Sequence, residues 1–443
     1  MRTSRGRLVA ALAAVGLVVS ACSGAGSREA PLPPHVDATR FTTRWPIKHV
    51  VFIIKENRSF DHMFGLFPGV NSVRVANDHG VMRPMTKAED QRAHDLTHCY
   101  ACAVAAIDAG RMDGFNQSVW DDKYAFTQFR PNQLPNYWHW AQQNVLMDNF
   151  FASATGPSFP NHLYSIAAQS GGALDNPVQD PGLLQQRLRN GFAKSWGCDI
   201  VQPGAYVEIL DPEGKLIKVD PCFDFTTEGD LLRKAGIPWA YYAATNRQLG
   251  YIWSAYSAID RYRNDPELWN RYIRGVDDVV RDIEQDRLPP VTWVTPRFQL
   301  SEHPEYNFCY GENWTTKVID AIMNSPMWKD TAIFVTWDDY GGFYDHVKPI
   351  EVDPFGLGIR VPMLIISPYA KQGFVDHTEG EFSSVLRFIE DNWGLSRLTD
   401  RDRKADNLSE AFDFTQTPRA PDPLPLRTDC KGPIWAPPPP DSS

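Results

Sequence analysis

Val50-Val51-Phe52-Ile53-Ile54-Lys55-Glu56-Asn57 is five apolar residues running without a break into a cation, a carboxylate and an amide. An apolar run too short for a helix, with no polar residue on either alternate, predicts a strand buried on both faces, the habit of parallel sheets. Open α/β sheets collect their ligands at the carboxyl ends of such strands, which is where Glu56 and Asn57 fall. Residues 237–242, 291–294, 332–337 and 362–366 read the same way, as buried parallel strands. Segments of helical periodicity lie between them, over 228–235, 275–285, 315–324 and 383–392. The alternation predicts an α/β three-layer sandwich, a mostly parallel central sheet with helices on both faces. Two stretches, 71–148 and 179–225, lack it and read as insertions capping the sheet.

A second carboxylate pair, Asp338-Asp339, follows the 332–337 run and leads into Tyr340-Gly341-Gly342-Phe343-Tyr344-Asp345-His346. Adjacent carboxylates repel unless protonated or bridged by a cation. Turn and cap chemistry explains either acidic pair alone; two pairs at two strand ends favour a divalent metal. Oxygen donors suit Ca²⁺, Mg²⁺ or Mn²⁺, and a recruited histidine would admit Zn²⁺ or Fe. Between the pairs lies Gly156-Pro157-Ser158-Phe159-Pro160-Asn161-His162, opening a helix-like run with Pro160 in its first turn. Ser158 then sits at a helix amino end, where it serves as a cap or, beside a metal, as a nucleophile with phosphate held by free N–H groups. His98, His303 and His346, in loops near strand ends, are candidate general acids. His162 falls inside the helix and is set aside.

Arg2, Arg5 and Arg7 precede an apolar run over 8–19, and small residues then lead into Cys22. This reads as an export signal over 1–21 of lipoprotein type, with an ordinary signal-peptidase site as the alternative. The apolar run falls short of the roughly 20 residues needed to span a bilayer. Residues 22–40 read as a flexible tether, through which a lipidated Cys22 would hold the protein to a membrane. The folded domain is expected over 41–414, with a Pro-rich tail from 415 to 443. The net charge of −10 becomes −13 once the three leader arginines are removed, which argues against nucleic acid as a partner. Six cysteines remain beside Cys22, an even number suited to disulfides in an oxidising compartment, with a local Cys99–Cys102 bridge favoured.

Four segments together form a family pattern: Glu56-Asn57-Arg58-Ser59-Phe60-Asp61-His62, Gly156 through Asn161, Ser301-Glu302-His303-Pro304, and Asp338 through His346. The pattern resembles the bacterial phosphoesterase family of phosphatidylcholine-type phospholipases C and acid phosphatases, and is similar to plant non-specific phospholipases C. Met112-Asp113-Gly114-Phe115 and Arg360-Val361-Pro362 also fit. The resemblance implies an alkaline-phosphatase-like core. By position it makes Glu56, Asn57, Ser158, Asp338 and Asp339 ligands of one divalent ion, with Ser158 also the nucleophile. The mechanism expected from these residues is attack by Ser158 to give a seryl-phosphate intermediate, with His303 or His98 protonating the leaving alcohol of a phosphate monoester or a phospholipid. Many relatives carry Asp-Glu where this chain has Asp338-Asp339, and some phospholipases have threonine at Ser158; both departures lean toward the phosphatase branch. The alternative is a surface lipoprotein that binds phosphorylated ligands without turnover.

Overall fold

The computed structural model describes residues 33–117 and 123–432, so the expected export signal and Cys22 lie outside the described residues. Eight strands form the central sheet: β1 (His49–Lys55), β2 (Val145–Met147), β3 (Trp239–Ala243), β4 (Ile273–Gly275), β5 (Val291–Val294), β6 (Thr331–Trp337), β7 (Met363–Ile366) and β8 (Phe374–Asp376). Their spatial order is β4-β3-β5-β1-β6-β7-β2-β8. At its centre Phe52 of β1 pairs with Trp293 of β5 on one side and Phe334 of β6 on the other.

Every pairing is parallel except those of β7, which runs antiparallel to both β6 and β2. The expectation of a parallel strand at 362–366 is therefore corrected. Periodicity carries no direction, whereas a parallel return needs a crossover, usually helical; none of the helices lies between β6 and β7. The reversal matters for the site, because it brings the approach to β7, with Arg360, to the edge where Asp338 leaves β6.

Strand alternation sorts the core into two layers. Val50, Phe52 and Ile54 face one hydrophobic cluster and Val51 and Ile53 the other. The first is covered by α4 (Ser158–Ala167), α5 (Glu228–Lys234) and α8 (Phe382–Trp393), with Phe52 edge-on to Phe382 at 6.3 Å. The second is covered by α1 (Phe60–Phe64), α3 (Pro135–Gln143), α6 (Val279–Glu284) and α7 (Phe308–Met323), where Tyr137 meets Trp337 at 5.3 Å. The result is the three-layer α/β sandwich. α7 starts well before the expected residue 315, because Asn307 caps it by accepting from the Cys309 N–H.

The reading of 71–148 as wholly insertion is also corrected, since α3 and β2 belong to the sandwich. The remainder, with a hairpin of Val75–Asp78 and Val81–Pro84 and helix α2 (Tyr100–Ile107), does cap the sheet. Its own small core of Ala103, Met112, Phe115 and Phe126 packs on Tyr340, Phe343 and Tyr344 from the loop after β6.

The described parts of the expected tether and of the Pro-rich tail, residues 33–40 and 415–432, contact the body. Within 22–40, Ala38–Arg40 forms a 3-10 turn with Ala38 buried. Beyond 414, Arg427 pairs with Glu312 at 3.0 Å, the Pro425 carbonyl accepts from Asn136, and Cys430 is bonded to Cys309. Prolines lack donors and periodicity, yet their carbonyls still accept, so a strap of this kind leaves no apolar signature. The other disulfides are Cys99–Cys102 and Cys198–Cys222. Among the described residues no helix is long and apolar enough to cross a membrane.

Candidate active site

β1 and β6 lie side by side with Lys55 opposite Trp337, so Glu56 and Asp338 emerge together at the carboxyl edge. Asp338 Oδ1 accepts from the N–H groups of Asn57 (2.9 Å) and Asp339 (2.8 Å), which pins the two strand ends to each other. Asn57 takes a left-handed φ of 61°, a conformation asparagine tolerates better than most residues. Gly341 lies against it; a Cβ there would come within 2.5 Å of the Asn57 carbonyl oxygen, so this turn needs glycine.

Ser158 arrives from the other side, on the first turn of α4. Its loop is clamped by Asn161, whose Oδ1 accepts from Ala154 N–H (3.0 Å) while its Nδ2 donates to the Gly156 and Pro157 carbonyls (3.1 Å each). Ser158 Oγ lies 3.4 Å from Asp339 Oδ2 and 3.5 Å from Glu56 Oε2. The structure thus brings Glu56, Asn57, Ser158, Asp338 and Asp339 together, and all five are buried. The helix amino end offers less than expected. Phe159 N–H already donates to Asn176 Oδ1 at 3.0 Å, and Pro160 has no N–H.

His162, set aside in the sequence, joins the group. Its Nε2 lies 2.9 Å from Glu56 Oε1 and 3.7 Å from Asp338 Oδ2. The signal was its spacing: four residues after Ser158, it shares that residue's helix face.

Burial, then the neighbouring Asp338, pushes both Glu56 and Asp339 well above the carboxylate range. Burial also drives His162 down to about 4. Among the described residues no lysine or arginine pairs with these three carboxylates; Lys55, next in sequence, is committed to Glu302 at 3.1 Å. Two acceptors, Asn57 Oδ1 and Asp338 Oδ2, are buried with no hydrogen-bond partner. Ligand atoms of Glu56, His162 and Asp338 fall within 4.8 Å of one another. Unpartnered oxygens and unneutralised carboxylates are what a divalent cation would satisfy, so the residues fit one.

Ser158 opens into a cavity of about 640 Å³ that His98, His303 and Asp95 also line. Asp95 Oδ2 lies between the two imidazoles, 3.6 Å from His98 Nδ1 and 3.4 Å from His303 Nε2. Burial works against charge on His98, but Asp95 and then Asp339 outweigh it and raise that imidazole to about 9. Its Nε2 faces Asn57 Nδ2 at 3.0 Å. Glu302 takes a left-handed φ of 73° as the chain turns into the cavity wall at His303.

His346 is not among the residues that line this cavity. Its Nδ1 contacts Asp61 Oδ2 at 2.6 Å and its Nε2 contacts Asn71 Oδ1 at 3.0 Å. Asp61 and Asp345 are in turn bridged by the buried Arg360. The adjacent sequence Asp345-His346 carries no sign that its partner is a guanidinium at 360.

The Phosphoesterase family matches residues 47–396. The chain is 26% identical to the hemolytic phospholipase C of Pseudomonas aeruginosa over 79% of its own length and 53% of that protein's, so it spans about half of that relative. It is 25% identical to phospholipase C B of Mycobacterium tuberculosis, covering 91% of this chain and 82% of the other. Among solved structures it is similar to a Vibrio parahaemolyticus protein of the alkaline phosphatase superfamily, with a TM-score of 0.36 and 11% identity over 81% of this chain and 71% of that one. The family match runs through every segment that builds the site, from β1 to the end of α8, and on that ground the chain belongs to the phosphoesterase family.

Proposed function

We propose that the protein is an exported, metal-dependent phosphoric ester hydrolase of phospholipase C or acid phosphatase type, acting through a phosphoserine at Ser158. The observation that carries this reading is Ser158 Oγ held within 3.5 Å of two carboxylates that no lysine or arginine pairs with among the described residues, beside two buried oxygens without donors. The relatives named above, both phospholipases C, support the reaction class. Glu56, Asn57, Ser158, Asp338 and Asp339, with His162 in reach, would hold one divalent ion. Bound there, the ion would supply positive charge that acidifies the serine hydroxyl and offsets charge on the phosphate oxygens. The mixed donor set admits Zn²⁺ or Fe as well as Ca²⁺, Mg²⁺ or Mn²⁺.

The chain's own residues divide the remaining work. The Asn161 clamp fixes the Ser158 loop, so that Oγ attacks phosphorus from a preset position. As the Oγ proton passes to the Asp339 carboxylate 3.4 Å away, a bond forms from Oγ to phosphorus and the bond from phosphorus to the alcohol oxygen breaks; that proton returns to Oγ when the phosphoserine is cleaved. His303 is assigned to protonate that alcohol, with Asp95 orienting its ring, because it lines the cavity onto which Ser158 opens. Water then cleaves the phosphoserine while His303 takes back a proton. The amino end of the chain is assigned to export, with Cys22 the point of lipid attachment.

The test is turnover of p-nitrophenyl phosphate and of phosphatidylcholine by purified protein, with each divalent ion and with chelator. Hydrolysis of at least one substrate, abolished by chelation, is expected, and the pair separates soluble from lipid leaving groups. No turnover of either with any metal would refute the hydrolase and favour binding without turnover.

A further inference from the structure

Apart from histidines, the charged residues lining the Ser158 cavity are acidic, Asp95, Asp175 and Glu305, with one exception: Lys194. Lys194 lies on the segment after helix Pro181–Arg189, which is fastened where Ala193 N–H donates to the Asn246 carbonyl at 2.9 Å and its carbonyl accepts from Arg187. Among the described residues no carboxylate lies within ion-pair distance of its ammonium. The contact it makes is with an aromatic face, 5.7 Å from the Trp196 ring centroid. Trp196 lines the same cavity, is 5% exposed, and its indole N–H has no acceptor.

Two side chains two residues apart, one carrying a cationic donor and one a buried neutral donor, thus line the cavity without a hydrogen-bonding or ion-pair partner among the described residues. Burying an ammonium without a counter-ion is unfavourable, and burial does push Lys194 below the usual lysine range with no carboxylate to oppose it. Aromatic contact recovers part of that cost. An anion arriving with the substrate would supply the Lys194 ammonium with the counter-ion it lacks, against the wall that the Trp196 ring forms. The acidic groups line the rest of the wall and disfavour an anion elsewhere in it.

We propose that Lys194 and Trp196 form an anion subsite, so that the preferred substrates are phosphoesters carrying a second anionic group, carboxylate or phosphate, beyond the scissile phosphate. This rests on the hydrolase reading given above. Lys194 is then a specificity-determining residue, outside the Ser158 machinery.

The test compares O-phosphoserine with phosphoethanolamine, which differ by one carboxylate, and 3-phosphoglycerate with glycerol 3-phosphate, in the full-length protein and in Lys194→Met and Lys194→Arg. The parent should favour the carboxylate-bearing member of each pair in kcat/KM. Lys194→Met should lower that preference about tenfold or more, the range of a charge-assisted hydrogen bond, with phosphoethanolamine changed by less than about twofold. Lys194→Arg should retain most of the preference. No preference in the parent, or an equal one in Lys194→Met, overturns the subsite. If nothing is turned over, the hydrolase reading alone falls, and the same ratios read as calorimetric Kd values decide the subsite.

Discussion

Arg360→Met removes a guanidinium that ties together the loops carrying the site. Arg360 is fully buried and donates to Asp345 (3.1 Å), to Asp61 (3.2 Å) and to the carbonyl oxygens of Asn71 (2.9 Å) and Asp148 (2.5 Å). Asp61 follows the Glu56-Asn57 turn, Asp345 follows Asp338-Asp339, and Asp148 precedes the Ser158 loop. Methionine fills similar space but leaves two carboxylates buried, with His346 the remaining basic partner of Asp61. Breaking a buried pair from one side costs about 3–5 kcal/mol. Two carbonyls losing donors add about 1–3 kcal/mol each before relaxation. A net loss of about 4 kcal/mol is expected, because the stranded carboxylates recover part of the cost by taking up protons.

That uptake sets a pH signature. Burial already holds Asp345 up at about 6, with Arg360 pulling it down; without Arg360 it rises further. A carboxyl raised above its unfolded value contributes stability that is present in acid and lost as pH rises through the folded value. The destabilisation should therefore be larger at about pH 8 than at about pH 5. Urea unfolding at those pH values, read as the midpoint shift at constant slope, measures it. A loss under about 1 kcal/mol, or one independent of pH, would refute the role given to Arg360.

The metal-free protein should gain thermal stability on adding the ion it binds, about 2.7 kcal/mol at one hundred times Kd. Because Glu56 and Asp339 are raised, the metal-free form loses stability as pH rises, and at a fixed ion concentration the gain should grow from about pH 5 to about pH 8; calorimetric scans that show no gain with any divalent ion would remove the metal from the site. His162→Ala should lower metal affinity about tenfold or more, as loss of a ligand or of a ligand-orienting group does, and unchanged affinity by titration calorimetry would make His162 structural. Replacing Cys309 and Cys430 together by serine opens a loop closed across a separation of 121 residues. Chain entropy sets about 4.7 kcal/mol for a loop near this size. A fall in unfolding free energy of about 3–5 kcal/mol is expected, and no change in the urea midpoint would show that the strap beyond residue 414 does not need the bridge.

The long buried strands were legible in the sequence because runs that are apolar on both alternates leave neither face for water. β2, β4 and β8 were not, since three residues carry no period. The direction of β7 is a property of its connection and not of its side chains. At the site, the two acidic pairs were visible because each follows its strand directly. His162 was set aside because it falls inside a helix, although its spacing from Ser158 placed both on one face. His346, proposed like the other histidines for its place near a strand end, is held by Asp61 and Asn71, and the Arg360 that bridges Asp61 and Asp345 sits on the approach to another strand. Asn176 is further still from view, a side chain from a loop after α4 that takes the very N–H a phosphate was expected to use.

The central claim is that Ser158 is the nucleophile in a site assembled by Glu56, Asn57, Asp338 and Asp339. The most direct measurement is the rate of p-nitrophenyl phosphate hydrolysis by Ser158→Ala against the parent, with bound metal quantified in both. The predicted result is a fall in kcat of about a thousandfold or more, as for loss of a nucleophile, with metal content largely kept by the remaining ligands. Hydrolysis by Ser158→Ala at the parental rate would contradict it.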